Sequence, residues 1–201
     1  MCVAIIGRDP AEMIHKAEAV VRDNPFVEFR LDYLRQPGQA IQRVRHFLEY
    51  HPEVVAIGTC RRSRNGGKFR GSVAAQVGIL IKAGDAGCQM VDLELQSAER
   101  LRPAEFQRLR GHAAAVILSF HDFKATRKLE ETFRKMVAFS ADFFKLVSTA
   151  NRLFDNVVMM KFLQEQNQRH SMVGLCMGEQ GLISRVLGLR AGSVFTFAAA
   201  T

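Results

Sequence analysis

The chain has no apolar run long enough to cross a membrane, a span that takes roughly 18 residues. Charged Arg8 and Asp9 follow the short apolar N-terminus too closely for a signal peptide. The cysteines show no CxxC or Cys/His metal spacing, which favours buried, reduced thiols. They are Cys2, Cys60, Cys88 and Cys176. We therefore expect a cytoplasmic protein with no membrane segment and no bound metal.

The balance of charge is basic, with 28 Lys and Arg against 20 Asp and Glu. The densest basic segment is 61–64, closely followed by Lys68 and Arg70. It lacks interleaved aromatic residues and any nucleic-acid-binding motif, so we expect no nucleic-acid partner. The charge suits an anionic small molecule instead. With 201 residues, 48% of them hydrophobic, the chain is long enough for a single globular domain over residues 1–201.

Short apolar segments alternate with segments of helical spacing along the whole chain, which predicts an α/β fold with a parallel sheet. The predicted strands are 2–6, 26–31, 54–60, 89–95, 114–120, 143–147, 172–176 and 194–198. The predicted helices are 10–23, 72–83, 104–110, 129–139, 152–166 and 182–187. Gly7-Arg8-Asp9-Pro10 is not the GxGxxG fingerprint of a doubly wound sheet, and eight strands favour a (β/α)8 TIM barrel. No helix is predicted after the eighth strand, so the barrel is expected to lack its eighth helix.

Lys145 interrupts an apolar run, 141–147, that otherwise predicts a buried strand. A lysine in such a place either extends its ammonium to water or has a chemical use. Burial favours the neutral amine, and a neutral amine is a nucleophile toward carbonyl groups. Lys145 is therefore a candidate nucleophile.

Other polar residues lie at neighbouring strand ends, where barrels gather their chemistry. By strand alternation Glu28, Arg30 and Asp32 share one face, as do Ser119 and His121. The structural alternative to a functional role is an internal ion pair between Glu28 and Arg30, which is compatible with function. The remaining candidates are Arg61, Asp92, Glu94 and Arg185, the last of these after a glycine-rich turn. A lysine, a histidine and several arginines together suit an imine-forming enzyme for an anionic carbonyl compound, with the arginines binding the carboxylate.

Several segments, in order along the chain, resemble the type I 3-dehydroquinate dehydratases of the shikimate pathway. They are Glu28-Phe29-Arg30-Leu31-Asp32, Thr59-Cys60-Arg61 with Gly66-Gly67, Val91-Asp92-Leu93-Glu94-Leu95, Ser119-Phe120-His121-Asp122-Phe123, Ala141-Asp142-Phe143-Phe144-Lys145, Met177-Gly178 through Ser184-Arg185, and Gly192-Ser193 through Phe197. The resemblance implies a (β/α)8 barrel, a homodimer, no metal or organic cofactor, and in some organisms fusion to a shikimate dehydrogenase.

The resemblance also implies roles for individual residues. Lys145 forms a Schiff base with 3-dehydroquinate, and His121 is the general acid and base that yields 3-dehydroshikimate and water. The substrate-binding positions divide by what they contact. Glu28 and Arg30 hold hydroxyl groups, Arg185 pairs with the carboxylate, Arg61 is a further substrate-binding position, and Met177 and Phe197 are apolar pocket positions.

Two departures from the family pattern stand out. Asn65 occupies a position that is usually acidic, just before Gly66-Gly67, and an amide cannot raise the pKa of a nearby histidine through charge. The family's lid loop and last helix follow the eighth strand, and this chain ends before both, so weaker binding and slower turnover are expected. A fragment, part of a fusion, an impaired or non-catalytic paralogue, and another imine-forming barrel such as a class I aldolase all remain as alternatives.

Overall fold

The computed structural model describes residues 1–199. The chain divides into two compact units. The first comprises Met1–Val116 and the described end of the chain from Ala198, and the second comprises Ile117–Phe197. Among the described residues, no helix combines the length and the apolar character that crossing a bilayer requires. A single domain over residues 1–201 stays a prediction.

The first unit contains four consecutive parallel strands with helices between them. Its elements are β1 (Cys2–Ile5), α1 (Pro10–Val21), β2 (Phe26–Arg30), α2 (Pro37–Tyr50), β3 (Val55–Thr59), α3 (Val73–Asp85), β4 (Met90–Glu94), α4 (Leu95–Ala98) and α5 (Pro103–Arg110). β1 pairs with β2, β2 with β3 and β3 with β4, so strand order follows chain order. All four strands consequently end at one edge.

Helix α1 begins as the sequence predicts. Asp9 Oδ1 accepts hydrogen bonds from the amides of Ala11 and Glu12, both at 2.9 Å, and Pro10 fills the first helical position. Helix α2 was not among the predicted helices. Its buried side chains recur at helical spacing, and they are Ala40, Ile41, Val44, Phe47 and Leu48.

The second unit repeats the same alternation. Its elements are β5 (Ala115–His121), α6 (Leu129–Met136), β6 (Phe143–Thr149), α7 (Phe154–Gln166), β7 (Met172–Met177), α8 (Leu182–Leu187) and β8 (Phe197–Ala199). β5 begins just before this unit and β8 ends just after it. β6 pairs in parallel with both β5 and β7.

All eight predicted strands are present, most of them within two residues of the predicted bounds. β8 is the exception, since it begins at Phe197 rather than at residue 194. Ser193 instead bonds to the amide of Gly174 and to the carbonyl of Phe195, and the amide of Val194 donates to Met172.

Candidate active site

Lys145 lies in the middle of β6 and is only 3% exposed. It is in register with Ser119 of β5, and Val147 is in register with His121. Residues two apart on a strand share a face, so Lys145 and His121 project from the same side of neighbouring strands. The second unit thus brings together the candidate nucleophile and the candidate base.

The aromatic ring of Phe197 covers the amine of Lys145. Lys145 Nζ is 3.7 Å from the ring centroid, a cation–π distance for the ammonium form and a close apolar contact for the neutral amine. Arg185 Nη1, from α8, donates to the carbonyl of Phe197 at 3.1 Å and holds the start of β8 in place. One end of the guanidinium is therefore bonded within the fold, and its other N–H groups are chemically able to donate to an anion.

His121 is the last residue of β5, and its ring stacks on that of Phe123, with centroids 6.0 Å apart and planes inclined by 16°. Met177 is the last residue of β7 and pairs with Thr149 of β6. The second unit therefore supplies an amine from β6, an imidazole from β5 and an apolar side chain from β7.

The first unit holds Glu28 and Arg30 at the end of β2. Glu28 is buried and accepts a hydrogen bond from Thr59 Oγ1 at 2.6 Å. Arg30 forms a two-bond ion pair with Asp32, in which Arg30 Nε and Nη2 each lie 2.9 Å from an Asp32 carboxylate oxygen. The strand ends at Arg30 and Asp32 belongs to a 3-10 turn, Leu31–Tyr33, which brings its carboxylate back to the guanidinium.

Arg30 is also packed against the ring of Tyr33, with its guanidinium carbon 4.9 Å from the centroid. Burial lowers the pKa of Arg30, but the hydrogen bonds to Asp32 and the nearby charge of Glu28 outweigh that effect and raise it. Arg30 therefore stays charged in a fixed orientation. Sequence reasoning did not identify Tyr33 in this role.

Arg61 follows β3 and is buried between two carboxylates of β4. Its Nη2 donates to Asp92 Oδ2 at 3.0 Å, and its Nε is 4.0 Å from Glu94 Oε1. Burial and the neighbouring Asp92 raise the pKa of Glu94, and bonds from Gln76 and the amide of Arg62 oppose the rise. Gln76, from α3, also donates to the carbonyl of Cys60 at 2.9 Å.

Strand alternation drew attention to Asp92 and Glu94, and the structure shows them supporting Arg61. Gln76 was missed, because a glutamine within a helix carries no sequence signal of burial.

Asn65 ends a 3-10 turn, Ser63–Asn65, in the loop after Arg61. No group of three or more His, Cys, Asp or Glu side chains within residues 1–199 could hold a metal ion.

A family model described as type I 3-dehydroquinase matches residues 1–201. The 3-dehydroquinate dehydratase of Coxiella burnetii (strain CbuK_Q154) is 32% identical over 200 residues, covering 98% of this chain and 82% of that protein.

Two solved structures are similar in fold. The type I 3-dehydroquinate dehydratase of Clostridium difficile, solved with covalent modified comenic acid, has a TM-score of 0.88 at 24% identity and covers 99% of this chain and 83% of that one. A dehydroquinate dehydratase and shikimate dehydrogenase from S. pombe has a TM-score of 0.77 at 23% identity, over 99% of this chain and 39% of that one. These likenesses confirm the predicted (β/α)8 TIM-barrel class. With the match over the full sequence, the chain belongs to the type I 3-dehydroquinase family of hydro-lyases.

Proposed function

We propose that the chain is a 3-dehydroquinate dehydratase that works through a Schiff base on Lys145. Membership of the family supports the reaction, and the burial of Lys145 beside Phe197 supports the mechanism. A buried amine next to an aromatic ring is shielded from water, and shielding favours imine formation over hydrolysis. The burial of Lys145 is the observation that carries the proposal.

The proposed reaction begins when the Lys145 amine attacks the C3 ketone and water is lost to give a protonated imine. His121 then removes a proton from C2, and the electrons of that C–H bond pass into the imine to give an enamine. The enamine expels the C1 hydroxyl, which takes the proton from His121 and leaves as water. Hydrolysis of the remaining imine consumes one water and releases 3-dehydroshikimate and the free lysine.

The remaining candidates are proposed to bind the substrate. Arg61 and Arg185 pair with its carboxylate, and each guanidinium is already oriented by another contact, to Asp92 and to the Phe197 carbonyl respectively. Glu28 and Arg30 bind hydroxyl groups. Met177 and Phe197 form the apolar wall. Preorientation of this kind reduces the entropy lost on binding.

Trapping the imine tests the proposal directly. The protein is incubated with 3-dehydroquinate and sodium borohydride, which reduces an imine to a stable amine, and intact mass and peptide mapping then locate the adduct. We expect one adduct on Lys145. Lys145→Ala should lose both the adduct and turnover, whereas Lys161→Ala, which removes an exposed lysine of α7, should lose neither.

The role of His121 is tested in the same experiment. His121→Ala should still form some trapped imine but should lose dehydration by roughly 100-fold or more, since general acid–base catalysis contributes about that much. Labelling elsewhere than Lys145, or no labelling, would show that the imine mechanism is wrong. Adduct formation without any dehydration by the unaltered protein would favour another imine-forming activity or an impaired enzyme.

We further propose that the chain forms a homodimer. The supporting observation is a set of exposed apolar side chains on or directly next to α7 and α8, the α7/α8 face, since such patches mark interaction sites. Its members are Leu153, Phe154, Val157, Leu182, Ile183, Val186, Leu187 and Leu189.

Two further predictions concern the cellular setting. Fusion to a shikimate dehydrogenase is supported by the name of the S. pombe protein. A cytoplasmic location is supported by four free, buried cysteines, because thiols stay reduced in that compartment.

A further inference from the structure

Asp122, which follows His121, is hydrogen-bonded to β6 through both its amide and its carbonyl. The amide of Asp122 donates to the carbonyl of Val147 at 2.8 Å. The hydroxyl of Thr149 donates to the carbonyl of Asp122 at 2.9 Å. The first bond continues the ladder between the strands, but the second comes from a side chain. The orientation of the peptide group after Asp122 therefore depends on the Thr149 hydroxyl.

The loop beyond Asp122 is tied to the same end of β6. Asn151 Nδ2 donates to the carbonyl of Lys124 at 2.8 Å. Thr126 Oγ1 donates to the carbonyl of Thr149 at 3.0 Å and lies 2.7 Å from Ser148 Oγ. These bonds hold the loop as a whole, so the loop stays in place if one of them is lost. What Thr149 adds is control of a single peptide group.

That peptide group joins Asp122 to Phe123, whose ring stacks on the imidazole of His121. Phe123 is 51% exposed, so little packing from other side chains holds its ring. Its position follows mainly from its backbone, which is held by the Thr149 bond together with the bonds that Asp122 Oδ1 accepts from the amides of Lys124 and Ala125. A stacked ring in turn limits rotation of the imidazole and shields one of its faces from water.

Thr149 and Lys145 lie four residues apart on β6 and therefore share a face of the strand. One strand thus carries the candidate nucleophile and also a support for the candidate base. Proton transfer is sensitive to such support, because it needs the base within hydrogen-bond reach of the proton that it removes.

We propose that the hydroxyl of Thr149 is a positioning element for His121, acting through the Asp122 carbonyl and the Phe123 ring. This inference rests on the proposed function, because it requires His121 to move the protons of the dehydration. It assigns no contact between Thr149 and the substrate.

The test replaces Thr149 by valine, which keeps the shape of the side chain and removes the hydroxyl. With 3-dehydroquinate, Thr149→Val should lower kcat by roughly 10- to 100-fold, the loss expected from a small misplacement of a catalytic group. KM should stay within about two-fold, because binding is not altered. Trapping of the imine on Lys145 should be unchanged, and the pH dependence of kcat should shift, because the surroundings of His121 change.

Thr149→Ser restores a hydroxyl and should recover most of kcat. Thr132→Val, the same substitution on α6, should leave kcat, KM and the pH profile unchanged. If Thr149→Val does not fold, Thr149→Ser and Thr149→Ala carry the same comparison, since they differ only in the hydroxyl.

Three results would overturn the inference: an unchanged kcat in Thr149→Val, an equal loss of imine trapping and turnover, or no recovery with serine. Failure of the proposed function would look different, since the unaltered protein itself would then give no adduct or no dehydration.

Discussion

At the scale of single residues, the strand ends of the first unit are built from buried charges that compensate one another. Arg30 is held by Asp32, and Arg61 by Asp92 and Glu94. A buried ion pair adds little net stability, because removing two charges from water costs about as much as their attraction returns. The pairs are better explained by orientation, since they fix two guanidinium groups that would otherwise be mobile.

Glu94 gives this cluster a measurable dependence on pH. Burial and Asp92 raise its pKa above the ordinary 4.5, so the folded state binds more protons than the unfolded state. Stability from this group is present below pH 4.5 and is lost as the pH rises through the folded pKa. Glu94→Gln removes the titrating carboxyl, so this loss of stability with rising pH disappears in the variant. Urea unfolding should show the variant gaining stability relative to the unaltered protein as the pH rises from about 4.5.

A constant offset between the two proteins over the whole pH range would contradict that prediction. The control is Glu131→Gln, on the exposed surface of α6. Lys128 and Lys135 lower the pKa of Glu131, so its contribution is lost only as the pH falls. The difference in free energy of unfolding between Glu131→Gln and the unaltered protein should therefore stay constant above pH 4.5.

In the sequence, strand alternation placed Glu28 with Arg30 and Ser119 with His121, and the apolar run around Lys145 predicted a buried strand. It could not predict the partner of Arg30. Asp32 lies beyond the end of β2, and the 3-10 turn that returns its carboxylate is set by tertiary packing, which alternation does not describe. The ring of Phe197 over Lys145 joins residues far apart in sequence, and no local pattern reports such a contact.

At the scale of elements, the start of α1 depends on one side chain. Asp9 accepts bonds from two amides that have no partner within the helix. Asp9→Ala should lower the free energy of unfolding by about 1 kcal/mol, as measured by urea denaturation. Asp9→Asn keeps an acceptor oxygen and should lose much less. Equal losses in both variants would show that the negative charge, rather than the cap, is what matters.

Elements with an unambiguous start were predicted well, and α2 shows why others were not. It begins with Pro37 and Gly38, a pair that also signals a turn, so its N-terminus is ambiguous in sequence. The buried positions of α2, with spacings of three and four, were the signal that would have identified it. β8 was placed too early because its apolar residues begin at Val194, whereas the strand begins at Phe197 and Ser193 forms only an isolated bridge to Met172.

At the scale of the whole molecule, the alternation of strands and helices is encoded locally and repeated many times. The fold class can therefore be predicted correctly even when single elements are missed or misplaced. Surface features are encoded less directly. The α7/α8 face is apolar in sequence, but only the structure shows that these side chains point outward. Val186, for example, is 68% exposed. An exposed apolar face costs free energy in water, and association with a second copy would remove that cost.

The homodimer prediction is tested by size-exclusion chromatography with light scattering at micromolar concentration. We expect twice the 22.5 kDa mass of the chain. Val186→Glu should give a monomer with unchanged circular dichroism, because an unpaired carboxylate is costly to bury in an apolar interface. Tyr50→Glu, on the exposed side of α2, should remain a dimer. A monomeric unaltered protein would refute the dimer, and a dimeric Val186→Glu would show that the two copies meet through a surface other than the α7/α8 face.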